Sequence, residues 1–196
     1  SIKDDELIFE EKSEAFTVGI SLSSDEKYFF ITTSDHNTSE QYYFEVAEKS
    51  PKPKLIKKRK KGIIYSINSW DEYFYCHTND NAEDFKIERC DDLLNQKWED
   101  YIPAKDEVLI GGLIFLNNWI LRGEKSNALG KLFVKNRQTG VEVELKFTDE
   151  TVIVPGVSLI QRDKNTDLVY LSYSSPKTPS KTYLYNLETK EKKLVK

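Results

Sequence analysis

The stretch Asp167–Lys196, DLVYLSYSSPKTPSKTYLYNLETKEKKLVK, carries the pattern that the rest of the chain repeats. It opens with an apolar run, Leu168–Tyr173, and passes through the turn-forming segment Ser174–Ser180. A second run, Thr182–Leu187, leads into a charged turn at Glu188–Lys190 and a short last run, Lys193–Lys196. β-Branched and aromatic residues fit a pleated surface, and the Pro, Ser and Asn clusters between them make hairpin turns.

Four copies of this unit lie over one another. The segments matching Leu168–Tyr173 are Tyr28–Thr33, Tyr73–Thr78 and Asn118–Gly123, with starts 45, 45 and 50 residues apart. Their partners are Gln41–Val46, Phe85–Cys90, Lys131–Asn136 and Thr182–Leu187, spaced by 44, 46 and 51. Each copy adds a leading strand (Phe16–Leu22, Gly62–Asn68, Val108–Leu116, Val154–Gln161) and a trailing one (Lys54–Lys57, Trp98–Ile102, Glu142–Phe147, Lys193–Lys196). A period in the forties with several strands per copy is the spacing of β-propeller blades. The expected fold is therefore all-β, a partial β-propeller of four four-stranded antiparallel blades. They occupy 13–58, 59–103, 104–150 and 151–196, with residues 1–12, through Leu7–Glu11, as the trailing strand of a preceding blade. Tyr28–Ile31 and Trp119–Leu121 do not alternate apolar with polar, so both faces of the sheets are expected to be covered. A two-sheet sandwich also buries strands and is the alternative. One helical turn is expected at Asp91–Gln96.

Composition bounds the function classes. Charged residues make up 32% and hydrophobic ones 38% of the 196, as in a globular protein. A net charge of −4 leaves no global footprint for nucleic acid. No apolar run approaches the ~20 residues of a membrane helix. The acidic start, SIKDDELIFEEK, is unlike a secretory signal, and two cysteines, Cys76 and Cys90, suit a reducing compartment, so a cytoplasmic location is expected. The absence of Met suits a piece of a larger protein.

The segments Asp35–Glu40, Thr78–Ile87 and Ser172–Ser180, the last continuing to Tyr185–Thr189, resemble propeller segments of the oligopeptidase B (protease II) branch of the prolyl oligopeptidase family of serine peptidases. The resemblance runs from about Leu7 to Lys196 and is weakest in the third copy. It implies a seven-bladed parent propeller covering an α/β-hydrolase domain with a Ser-Asp-His triad. That propeller filters peptides by size, and cleavage follows basic residues. A nucleophile elbow needs Gly-x-Ser-x-Gly. Gly19-Ile20-Ser21 and Gly156-Val157-Ser158 lack the closing Gly, and His36 and His77 accompany no elbow, so no catalytic residues are expected here. Expected partners are the hydrolase domain and short peptides, with no cofactor and no metal. The loops between second and third strands, with Asp35, His36, Asn79, Asp80, Ser174 and Ser175, are the candidates for contact with them. End blades that lack neighbours imply self-association. A free-standing interaction module and a propeller glycosidase are the rival readings; the latter needs clustered carboxylates and arginines that do not recur in register.

The remaining motifs have plainer explanations. Lys57–Lys61, KKRKK, falls between a trailing and a leading strand, where a solvated loop is expected. A hairpin centred near Asn81-Ala82 sets Cys76 opposite Ile87 and Cys90 opposite Tyr73, so the two thiols pack separately. Asp80–Asp84 lacks the Gly and the bidentate Glu of a calcium loop. Trp70-Asp71 occurs once, without the rest of a WD repeat. Asn37-Thr38-Ser39 is a glycosylation sequon that matters only in a secreted protein. Gly111-Gly112, inside a strand pattern, marks a bulge or a close backbone approach.

Overall fold

A computed structural model describes residues 5–146, 148, 153–160 and 163–196. The chain divides into two compact units, Ser1–Ala104 and Lys105–Lys196. In the first, β1 (Thr17–Leu22), β2 (Tyr28–Ser34), β3 (Ser39–Glu45) and β4 (Lys54–Lys57) form one antiparallel meander. A second is built from β5 (Tyr65–Trp70), β6 (Tyr73–Thr78), β7 (Lys86–Cys90) and β8 (Glu99–Ile102). The second unit repeats the plan with β9 (Leu109–Phe115), β10 (Trp119–Ser126), β11 (Leu129–Asn136) and β12 (Glu142–Glu144), then β13 (Val154–Leu159), β14 (Leu168–Ser174), β15 (Lys181–Asn186) and β16 (Lys192–Leu194). Four four-stranded sheets, each in sequence order, agree with the blade reading, and no described residue lies in a helix.

Local chemistry explains the turns. Asn127 and Ala128, both at positive φ (49° and 62°), form the two-residue loop of the β10–β11 hairpin, the conformation that matches strand twist. The last turns of the third and fourth sheets are superimposable in their bonding. Asn136 Oδ1 accepts from the Gln138 and Thr139 N–H groups, and Asn186 Oδ1 accepts from Glu188 and Thr189. Each turn closes on a residue at positive φ, Gly140 in one and Lys190 in the other. Asp91–Gln96 contains a single α-turn, with the Gln96 N–H on the Asp92 carbonyl at 2.9 Å.

Two cores form, one between the sheets of each unit. Phe30, Tyr43, Ile56, Tyr65, Ile67, Phe74, Cys76, Cys90 and Leu93 fill the first. Leu116, Trp119, Leu121, Leu132, Val134, Val169, Leu171, Tyr173, Tyr185 and Leu187 fill the second. Each such side chain contributes about 1.5–3 kcal/mol on burial. Strands β3, β6 and β10 are buried on both faces, β10 as its unbroken apolar run Trp119–Leu121 led one to expect.

Register refines the repeat. Phe30 lies opposite Tyr43, and Leu121, not Ile120, holds the matching place opposite Val134. The third copy is therefore offset by one residue from the 45-residue spacing, and a one-residue offset exchanges the two faces of a strand. The leading strand of the second copy is Tyr65–Trp70 rather than Gly62–Asn68, because Gly62, at φ 81°, belongs to a turn. Leu7–Glu11 forms no strand; Phe9 packs on Tyr42 with ring centroids 4.7 Å apart. Phe147 and Gln161, expected as strand ends, fall outside the described residues. The Gly111-Gly112 bulge is present: both residues lie against Gly123, and a Cβ on Gly111 would come within 2.8 Å of the Gly123 carbonyl oxygen.

Trailing strands carry their own bulges, at Ile56 between the Gln41–Lys57 and Tyr42–Leu55 pairs and at Tyr101 in the second sheet. In the fourth, Thr182 alone bonds to both Val195 and Lys196. A bulge leaves backbone groups unpaired. In the first sheet the Tyr65 hydroxyl repairs this, accepting from the Gln41 and Lys57 N–H groups at 2.8 and 3.2 Å and donating to the Lys57 carbonyl. Tyr65→Phe is expected to destabilise the chain by about 2–3 kcal/mol, read as a lower urea midpoint at unchanged slope, because buried amides lose their partner. Lys190→Gly is expected to stabilise the chain by about 0.5–1 kcal/mol, read as a higher midpoint, since the left-handed backbone costs Lys more than it costs the Gly140 of the sister turn.

Candidate functional site

In the first unit three segments converge: the β2–β3 turn, the β4–β5 crossing and the β6–β7 turn. Asp35 Oδ1 accepts from the Asn37 and Thr38 N–H groups at 2.9 and 2.7 Å. The Asn37 N–H above all holds this carboxyl below the usual carboxylate range. Thr38 Oγ1 accepts from Gly62 N–H, and Ser39 N–H donates to the Ile63 carbonyl. From the other side Asn79 Oδ1 accepts from Ile64 N–H at 2.7 Å while its Nδ2 donates to the Gly62 carbonyl at 2.9 Å. Asp35 and His36 are thus brought beside Asn79 and Asp80 through residues 60–64. Asp35 and Asn79 hold the loops; His36, exposed, and Asp80, in an ion pair with Lys60 at 3.4 Å, face solvent. Phe85 closes the β6–β7 turn at φ 67°, stacked on His77 at 4.7 Å.

The basic run is only partly a solvated loop. Lys58, Lys60 and Lys61 are exposed, but Lys57 and Arg59 turn inward. The Lys57 ammonium lies 4.3 Å from the Trp98 ring centroid and 3.2 Å from Glu88 Oε2. Arg59 lies over the Phe16 ring, donates to the buried Glu40 at 3.0 Å, and pairs with Glu11. Its own N–H also donates to Glu40 at 2.8 Å, and the Tyr42 hydroxyl adds a third bond at 2.7 Å. Burial pushes the Glu40 carboxyl up, yet these donors outweigh burial and hold it below the ordinary value. Aromatic rings and carboxylates distant in sequence drew these cations in, which a linear motif does not record.

In the second unit Ser175 repeats the Asp35 turn with a hydroxyl: its Oγ accepts from the Lys177 and Thr178 N–H groups at 3.1 and 2.9 Å. Ser174 ends β14, half-buried. Two features there escaped the motif search. Arg122 and Glu124, both buried, bond to each other at 2.8 Å and extend to Glu142 and Lys105. A cleft of about 630 Å³ between the third and fourth sheets is lined by Lys131, Lys146, Lys190, Lys192 and Glu144 over Leu132 and Tyr185. Its lysines come from three separate segments, around 131, 146 and 190–192, so no single run of sequence announces them.

Neither Gly-x-Ser sequence sits on a nucleophile elbow. Gly19–Ser21 lies within β1 and Gly156–Ser158 within β13, extended strands rather than a strand-to-helix turn. Among the described residues no three His, Cys, Asp or Glu side chains converge to hold a metal. Cys76 and Cys90 are free and buried, and burial pushes their thiols up to about 12 and about 11. Cys76 lies opposite Glu88 and Cys90 opposite Phe74, one residue from the expected register, so both thiols share one face and one core.

Arg59→Ala leaves Glu40 buried without its cation and is expected to cost about 2–4 kcal/mol by chemical denaturation. In the parent chain the depressed Glu40 contributes stability above the ordinary glutamate range, lost as pH falls through its lowered folded value. An acid titration of stability should therefore show a step that Arg59→Ala reduces.

The family model described as prolyl oligopeptidase, N-terminal beta-propeller domain, matches residues 1–196. Protease 2 of Moraxella lacunata is 29% identical over 203 aligned residues, which cover 97% of this chain and 27% of the relative. Dipeptidyl aminopeptidase BI of Pseudoxanthomonas mexicana is 28% identical over 195, covering 98% and 26%. The chain thus spans about a quarter of the length of these curated relatives. Among solved structures, oligopeptidase B from Trypanosoma brucei with covalently bound antipain, in its closed form, superposes with a TM-score of 0.87 over 100% of this chain and 29% of that one, at 22% identity. The four-meander fold and the family match over its full length agree: this chain belongs to the prolyl oligopeptidase N-terminal β-propeller domain family.

Proposed function

We propose that the chain is the non-catalytic propeller portion of an oligopeptidase B-like serine peptidase. It admits short peptides to a Ser-Asp-His hydrolase domain that cleaves after basic residues. The family match over residues 1–196 carries this reading, and the similarity to Protease 2 and the fold shared with oligopeptidase B support its finer part. Without an elbow among the described residues the work left to these sheets is steric. Packed on both faces, strands such as β6 and β10 make a stiff wall that bars folded proteins. On this reading His36, Asp80 and Ser174, carried by or beside turns that Asp35, Asn79 and Ser175 hold, are the residues that meet a peptide or the hydrolase domain. The blade limits 13–58, 59–103, 104–150 and 151–196 belong to the same proposal, as does a cytoplasmic location. Two free thiols suit the latter, and no helix of the described residues is long and apolar enough to cross a membrane.

The parent peptidase, with and without these four sheets, should be assayed on a short peptide and on a folded protein, each with cleavable Arg or Lys bonds. Removing the sheets is expected to leave cleavage of the short peptide measurable and to admit the larger substrate. The 196-residue chain alone is expected to cleave neither. Unchanged size selection after deletion would overturn the filter role, and hydrolysis by the chain alone would overturn the non-catalytic one.

A further inference from the structure

Four lysines line the cleft between the third and fourth sheets, two on each side. Lys131 of β11 and Lys146, just past β12, form one wall; Lys190, in the β15–β16 turn, and Lys192 of β16 form the other. The strand registers set this cleft between the faces that the two sheets turn toward each other. Lys192 lies opposite Tyr185, whose ring belongs to the shared core, and Leu145 bonds to the Leu132 carbonyl and packs on the same core. The cleft is thus bounded by a junction internal to the second unit.

Its charge is one-sided. Of the five charged described residues that line it, four are lysine and one is Glu144, although the chain holds 33 acidic residues against 29 basic ones. Glu144 pairs with Lys131 at 3.2 Å, and no described carboxylate pairs with Lys146 or Lys190. The lysines are exposed, whereas Leu132 and Tyr185 beneath them are buried. Low-dielectric walls confine the field of such charges to the gap, so the ammonium groups repel one another there and concentrate anions. Aliphatic stems that cover an apolar floor account for long side chains. They do not account for cations without a counter-charge on opposite walls.

The chemistry of the donors narrows the ligand. No described arginine lines the cleft, so it offers point charges rather than the planar fork that matches a carboxylate. Point charges on two walls suit a multiply charged, tetrahedral group such as phosphate. A volume of about 630 Å³ lies in the range of small-molecule sites. The space continues past Gly130, where a side chain would run into the Pro155 ring, into an apolar recess of about 250 Å³ beside Leu109, Ala128 and the Gly111 and Gly123 backbone.

We infer that this cleft binds an organic phosphate of nucleotide size, its phosphates held between Lys146 and Lys190 and its organic part in the apolar recess. The inference uses the geometry of the second unit alone, so its failure leaves the peptidase reading intact.

The test is titration calorimetry at low ionic strength, without divalent metal, on the 196-residue chain and on the parent peptidase. Adenosine triphosphate and inorganic triphosphate are the probes. One saturable site per chain is expected, with the nucleotide the tighter ligand. Reversing a wall charge replaces an attraction by a repulsion, so Lys146→Glu and Lys190→Glu should each weaken nucleotide binding about tenfold. Lys97→Glu alters an exposed residue of the first unit and changes the net charge equally; it should shift the affinity less than about twofold. Far-ultraviolet circular dichroism checks that each variant is folded, and Lys146→Gln or Lys190→Gln, with a smaller loss expected, replaces one that is not. No saturable binding, or an equal loss in Lys97→Glu, would overturn the site. Binding by the chain but not by the parent peptidase would overturn it as well, since the cleft is then covered. Inorganic triphosphate binding as tightly as the nucleotide would overturn the organic part of the ligand.

Discussion

Burial of a sheet face by the next sheet is the constraint on which this structure depends. A single four-stranded meander has two apolar faces and cannot satisfy both by itself, so each sheet is stable only as one of a stack. The strands answer with aromatic and β-branched side chains on both sides, and the packing that follows is dense where a neighbour exists. Phe30, Leu121 and Leu171 are almost wholly out of contact with water. Val18 and Ile20, with the same chemistry but over no described sheet, are not.

Stacking also has a polar cost, and the sheets meet it with specific groups. Bulges in the trailing strands leave amides unpaired near the junction; in the first unit the Tyr65 hydroxyl takes up those of Gln41 and Lys57. Ser39 and Gln41 in particular bond to the Tyr65 and Ile67 backbone along the otherwise open edge of β5. These bonds fix the second sheet against the first in one register, where apolar contact alone would tolerate sliding. Arg59 does comparable work at the periphery, neutralising Glu40 and tying the irregular N-terminal segment to the sheet it covers.

The loops at the ends of the sheets owe their order to the same economy of partners. Asp35, Asn79 and Ser175 are polar residues in turns, and such residues are easily read as groups waiting for a ligand. Here they accept backbone N–H groups that the turn would otherwise leave without partners. The turns they hold carry His36 and Asp80 at the surface. The function proposed for the family domain needs no more than this: a rigid wall with ordered rims, and chemistry supplied from elsewhere.

Sequence by itself determined the all-β class, the number of sheets, the order of the strands and the Gly111-Gly112 bulge. Each depends on composition and spacing along one stretch of chain, and residues adjacent in sequence report on it directly. Tertiary structure decided the faces. The third copy is offset by a single residue, and the hairpin holding Cys76 and Cys90 is offset by one as well; with a side-chain period of two, each offset moves a whole set of side chains to the other side. The basic run shows the same limit. Lys57 and Arg59 look like their exposed neighbours until Trp98, Phe16, Glu11 and Glu40 arrive from distant segments, and the cleft's lysines meet only because three separate segments converge. Periodicity records which residues are apolar; only the fold records what stands across from them.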